Sequence, residues 1–212
     1  MSLTIGLIAI RGQQIDNLSE IFGFWRLVDT QKDVVLKLWS DVEKVTDEEL
    51  MNPDDYTQKR AVWFDSNWTI IEDLSFILSS DEDVLAQISQ TLSTPVFSMQ
   101  TQGSNNCYSF TYSDIELKRS FSVCDGEVLE DFGIPLIQEK NYKIDENTFY
   151  DDIHGVAKQF GINWDNSKNI DTFIVKTLEN SEKLNSEIEK FKIKPDGQTE
   201  RQINTKPWWR FW

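Results

Sequence analysis

Residues 60–73, RAVWFDSNWTIIED, decide how the fold is read. Ala61–Phe64 and Trp68–Ile71 are short runs of β-branched and aromatic side chains, and Asp65-Ser66-Asn67 between them has turn chemistry. The stretch therefore reads as a β-hairpin. The same pattern recurs downstream. PVFSMQT (95–101), CYSFTYS (107–113) and IELKRSFSV (115–123) read as strands, divided by Gly103-Ser104-Asn105 and by a tight turn at Ser113-Asp114. Asp125-Gly126 then turns the chain into EVLEDFG (127–133). Tyr108, Phe110 and Tyr112 alternate, the period of a half-buried antiparallel strand. Between hairpin and meander, Val84, Leu85, Ile88 and Leu92 form one helical stripe. Ser79 or Ser80 is its candidate cap, Asp81, Glu82 and Asp83 suit its first turn, and Pro95 closes it.

Outward from this centre the pattern is less regular. Residues 3–10, LTIGLIAI, are nearly continuous in apolar side chains, as a central strand would be. Asp16, Asn17 or Ser19 could cap a short helix through Ile21 and Phe22. In 33–45, DVVLKLWSDVEKV, the residues Val34, Val35, Leu38, Val42 and Val45 predict a helix with Asp33 as N-cap. The acidic run 46–58, with Pro53, reads as a surface loop. After Pro135, Asp145 or Asn147 could cap a helix carrying Phe149, Ile153, Ala157 and Phe160, with Gly161 at its C′ position. DTFIVKTL (171–178) fits either a strand or the start of a long helix, and Leu184, Ile188 and Phe191 share one helical face. The expectation is an α+β fold: a mainly antiparallel sheet (hairpin, helix, three- to four-strand meander) with helices packed on one face, and a C-terminal helical region. Residues 1–192 form one domain, with a sub-boundary near 140–146. Residues 193–212 are a polar linker and an aromatic tail.

The charge narrows the partners. The chain of 212 residues carries a net charge of −15. Residues 190–212 hold six basic side chains against Asp196 and Glu200, a local +4, so residues 1–189 sum to −19. Such a body repels phosphate backbones and anionic membranes, and it attracts a basic protein. We expect no nucleic acid partner. No run approaches the ~20 apolar residues of a membrane span, and the N-terminus lacks a basic region ahead of its apolar stretch, so the expected location is the cytoplasm. The two cysteines, Cys107 and Cys124, fall in neighbouring predicted strands, and the sequence leaves both thiols and a disulfide open.

Catalytic signatures are scarce. A single histidine, His154, removes every two-histidine metal site and the HExxH pattern. Asp151 lies three residues before it, within reach on a helix, and reads as a solvated ion pair. The carboxylate pairs Glu72-Asp73, Glu130-Asp131 and Asp151-Asp152 do not converge by themselves, because neighbours in a strand point to opposite faces. No glycine-rich phosphate loop and no GxSxG is present, and Lys118-Arg119 is too small for a phosphate track. We expect no catalytic residues, no metal site and no cofactor.

The segments RAVWFDSNWTIIED, DEDVLAQISQTLSTPVF, YSFTY and DGEVLEDFGIPL, within residues 60–140, resemble small uncharacterised α+β proteins of bacterial genomes. Some proteins of that general type look like immunity proteins, which neutralise a sister cell's toxin. The resemblance covers about two-fifths of the chain, rests on turn, core and aromatic positions, and implies a fold more than a function. The leading expectation is a non-enzymatic protein-interaction module, in its most concrete form an immunity-type inhibitor whose acidic surface covers a basic partner. The alternative is an enzyme or small-molecule binder, with several of Trp63, Trp68, Tyr108 and Tyr112 around a buried carboxylate.

The candidate binding residues are Trp63 and Trp68 in the hairpin and Trp208, Trp209, Arg210, Phe211 and Trp212 in the tail KPWWRFW. Tryptophan and arginine dominate interface energetics, while a basic aromatic tail on an acidic body is equally suited to its own surface. A chain ending at Thr205 separates the two. We expect urea denaturation to show a loss of about 3–5 kcal/mol, as for other buried large aromatics. An unchanged fold that no longer captures a partner assigns the tail to that partner.

Overall fold

The computed structural model describes residues 4–51, 57–162 and 170–191. The expected aromatic tail, with Trp208, Trp209, Arg210, Phe211 and Trp212, lies outside the described residues. Among them are five α-helices and ten strands in one antiparallel sheet. The strands are β1 (Thr4–Arg11), β2 (Leu27–Asp29), β3 (Val34–Leu36), β4 (Thr57–Asp65), β5 (Trp68–Glu72), β6 (Val96–Gln102), β7 (Cys107–Asp114), β8 (Leu117–Cys124), β9 (Glu127–Phe132) and β10 (Phe173–Asn180). The helices are α1 (Leu18–Phe24), α2 (Trp39–Met51), α3 (Glu82–Leu92), α4 (Tyr150–Gln159) and α5 (Glu182–Phe191). The spatial order is β2-β10-β4-β5-β1-β6-β7-β8-β9, and β3 also pairs with β10.

The hairpin and the meander stand where their turns put them. Asp65 pairs with Trp68, and Ser66 and Asn67 between them both have positive φ (49° and 71°). That is the backbone of a two-residue turn whose twist matches the flanking strands. β6 lies beside β1, and β7, β8 and β9 follow in sequence order, each paired with its predecessor.

β1 explains why the sheet is covered twice. Ile5, Leu7 and Ala9 belong to one buried cluster, Ile8 and Ile10 to another. Because successive side chains point to opposite faces, an unbroken apolar strand demands cover on both. The helices, expected on one face, accordingly divide. Val42 of α2 and Ile153, Val156 and Ala157 of α4 join the first cluster. Leu18, Ile21 and Phe22 of α1 and Leu85 and Ile88 of α3 join the second, with Leu184 of α5 packed against it.

Two further expectations are corrected. The helix predicted over 33–45 is a strand followed by a helix. Val34 and Val35, β-branched and suited to extended backbone, pair with Val175 and Ile174 in β3, and α2 begins only at Trp39. Asp33 then bonds Lys176 instead of capping a helix. The acidic run read as a loop from residue 46 continues α2 as far as Met51. Of the two readings left open for residues 171–178 the strand holds: residues 173–180 form β10, inserted between β2 and β4, and α5 follows it.

Caps also shift by a residue or two. Asp81, not Ser79 or Ser80, caps α3 by accepting the Val84 N–H at 3.2 Å. In α4 the Asp152 carboxylate reaches back to the Phe149 N–H at 3.0 Å and the Lys143 N–H at 3.1 Å. Gly161, at φ +82°, ends α4 as expected. Gly155 lies inside that helix, where glycine costs roughly 1 kcal/mol relative to alanine. Its reason is steric: a Cβ there would sit 2.0 Å from Cε1 of Tyr142. Gly155→Ala should therefore destabilise the fold by about 1–3 kcal/mol despite its better helix propensity, measured as a lower urea midpoint with unchanged slope.

Candidate functional site

The hairpin tryptophans face inward. Trp63 and Trp68 are each 1% exposed and belong to the first cluster. Trp63 meets Trp39 and Phe173 edge-on, with ring centroids 5.6 and 5.8 Å away. The Trp68 indole N–H donates to the Phe160 carbonyl at 3.0 Å, and the Arg11 guanidinium lies 5.5 Å from its ring centroid. As core residues they hold α2 and the end of α4 to the sheet. Tyr108 and Tyr112 are buried on the same face. Tyr112 stacks on Phe160 at 4.9 Å and donates to Asp114 at 3.3 Å. Burial, and then the Asp114 charge, push its phenol up to about 12. The four aromatics thus belong to the packed interior. Trp63 lines a groove of about 480 Å³ together with Gln13, Ile15, Phe64 and the exposed Asp171.

The carboxylate pairs mostly serve the backbone and three buried cations. Asp73 accepts from the Leu78 and Ser79 N–H groups, both at 2.8 Å, which folds the turn after β5. Arg60 lies 3.2 Å from the same carboxylate. Arg119 in β8 is 1% exposed, although its neighbour Lys118 reaches Glu82 at 2.6 Å on the other face of the sheet. Its guanidinium donates twice to Glu139 at 3.0 Å, to Asp131 at 2.6 Å, and to the carbonyls of Ser120 and Phe132 at 2.8 and 3.0 Å. The rings of Phe110 and Phe121 flank it at 5.6 and 5.9 Å. Burial alone would lower its pKa, but the hydrogen bonds to Glu139 and Asp131 more than reverse this.

Lys176 in β10 is the third cation, bonded to Asp29 at 2.9 Å and Asp33 at 2.6 Å. Burial lowers its pKa and the bonds to Asp33 and Asp29 raise it further than burial lowers it. Asp29 moves the other way. Burial pushes its carboxyl up, and the bonds from Lys176, the Gln31 N–H and Ser19 bring it below the ordinary value. His154, read from sequence as a solvated partner of Asp151, is instead 4% exposed and packs on Tyr150 at 5.1 Å. Asp151 is exposed.

Cys107 and Cys124, left open by the sequence, face each other across β7 and β8 and are joined by a disulfide. No group of three His, Cys, Asp or Glu side chains that could hold a metal occurs among the described residues, and none of their helices is long and apolar enough to cross a membrane.

What stays outside is an acidic, partly apolar margin at the β9 end of the sheet. β9 is exposed along nearly its whole length. Val128, Leu129 and Phe132 project from it, and Ile134, Ile137 and Phe149 follow in the segment that leads to α4. Between Arg119 and Lys140 the chain has no basic residue, while Asp125, Glu127, Glu130, Asp131 and Glu139 are acidic. The Asp125-Gly126 turn announces this strand but not its exposure, for which the three carboxylates in EVLEDF are the signal. No protein-family model, curated protein or solved structure matches the chain.

The Lys176 group makes a pH-dependent prediction. The lowered Asp29 pKa supplies stability that is present above about pH 4 and lost as pH falls. The raised Lys176 pKa supplies stability that is complete below about pH 10 and lost as pH rises through the folded value. Lys176→Met, which leaves Asp29 facing Asp33 without a cation, should cost about 3 kcal/mol at neutral pH. The deficit should shrink below about pH 4, where the carboxylates protonate, as read from urea unfolding across a pH series.

Proposed function

We propose that the chain is a non-enzymatic protein-interaction module whose acidic surface takes a basic protein partner, in its most concrete form an immunity-type inhibitor acting in the cytoplasm. One observation carries the reading. The three buried cations engage five carboxylates, so these internal groups account for only two of the fifteen net negative charges. The excess therefore lies outside the buried ion groups, where it steers a basic partner and disfavours phosphate and anionic lipid. The resemblance of residues 60–140 to small uncharacterised bacterial α+β proteins, some of which look like immunity proteins, is consistent with that chemistry. In a reducing cytoplasm the Cys107–Cys124 pair would be held as thiols, and the β7–β8 hairpin would rely on its backbone ladder.

A second reading, a small-molecule binder, has the groove beside Trp63 in its favour. That groove supplies an exposed Asp171 in place of the buried carboxylate such a pocket would use.

Capture from lysate with the tagged full chain tests the first reading. A basic protein should be retained, and raising salt from about 0.1 M to about 1 M, which shortens the screening length from about 10 Å to about 3 Å, should weaken retention at least tenfold. Retention indifferent to salt would count against an electrostatic interface.

A further inference from the structure

We propose that the free edge of β9 is the docking element of the acidic surface, and that it takes an extended, basic segment of a partner as an added strand. The inference rests on the acidic-surface reading and specifies where and how that surface is used. β9 ends the strand order, paired on one side with β8 and with no described strand on the other. Such an edge presents backbone N–H and C=O groups on its open side, a template for strand addition. The two ends of the sheet differ in this respect. At the other end β2 and β3 are three residues each and lie side by side along β10, whereas β9 offers six residues in one run.

The side chains define the occupant. Six of the fourteen exposed large apolar residues among the described ones, Val128, Leu129, Phe132, Ile134, Ile137 and Phe149, lie on β9 or in the segment between it and α4. Glu127 and Glu130 are interleaved with them, whereas Asp131 is held by Arg119. In the register, Val128 opposes Val123 and Glu130 opposes Ser122, so Leu129 is the extra residue of a bulge and stands 63% exposed. A strand alternating lysine or arginine with apolar residues would meet both sets. A second copy of this chain would bring an equally acidic strand alongside, a like-charge juxtaposition that a basic strand avoids. The charges on β9 thus discourage self-association and select a basic strand.

The edge is also held in place. Arg119 binds the Asp131 carboxylate, the Phe132 carbonyl and Glu139 together, which ties β9 and the following turn to the core. Docking would therefore meet a largely preformed backbone rather than order a loose one.

The test uses the full chain and a fluorescent ten-residue peptide of alternating lysine and valine, with a lysine–proline peptide of equal charge that cannot pair as a strand. Titration by anisotropy should show the lysine–valine peptide binding at least tenfold more tightly than the lysine–proline peptide. Hydrogen exchange should slow in the amides of residues 127–132 on binding, and Glu127→Lys or Leu129→Lys, both exposed positions, should weaken binding at least tenfold. Slowed exchange confined to β9 supports the proposal even if a variant misfolds. Equal affinity for the two peptides, or slowed exchange elsewhere, overturns the edge while leaving the acidic-surface reading standing. Absence of any salt-sensitive binding overturns both. Protection of the β9 edge in the free protein also overturns it: the occupant is then a second copy if sedimentation gives a dimer, and the chain's own tail if it gives a monomer.

Discussion

Burial of an apolar sheet on both faces is the constraint from which the rest of the structure follows. β1 puts Ile5, Leu7 and Ala9 on one side and Ile8 and Ile10 on the other, all essentially inaccessible to water. Each isoleucine or leucine among them contributes roughly 1.5–3 kcal/mol only if its face is covered. Cover for one face comes from α2 and α4, and for the other from α1, α3 and α5. The aromatic row Phe97, Phe110 and Phe121, with centroids 6.0 and 6.2 Å apart, extends the first face across the meander toward β9. Where that cover ends, Arg119 replaces a packed helix with a web of charge-assisted hydrogen bonds.

This division decides which charged groups are available for function. Arg60, Arg119 and Lys176 are fully committed to holding a turn, an edge and the β2–β3 segment, and the carboxylates that match them are likewise committed. A buried cation stripped of its partners is costly, so these groups cannot be exchanged for binding chemistry. The unmatched acidic residues have no such duty. They are free to set the long-range field, and the β9 margin is where that field coincides with exposed apolar surface.

Much of the centre was legible because its signals are local. Ser66-Asn67 and Asp125-Gly126 specify turns by their own backbone preferences, and Tyr108, Phe110 and Tyr112 mark a strand by simple alternation. Misreadings arose where a pattern served two periods or where the deciding partner was distant. Val34, Val35 and Leu38 share a spacing with Val42 and Val45 that mimics a helical stripe, yet the first two pair with residues about 140 positions away. The inward placement of Trp63 and Trp68 depends on Phe173 and Phe160, elements that a local window does not contain. Arg119 looked like half of a surface basic pair because Glu139 reaches it only through a turn formed twenty residues later.

The position of β10 has a consequence for the order in which the chain can fold. Among the described residues β2 and β3 have a single strand partner, and it lies between residues 173 and 180. β4 likewise waits for β10 on its outer side. During synthesis from the N-terminus, the hairpin and meander can close as soon as they emerge, whereas the outer side of β4 stays open until almost the last described helix has been made. A sheet assembled this way has a late, non-local closing step. Its slowest phase and its greatest exposure to mispairing both fall on the same stretch of backbone.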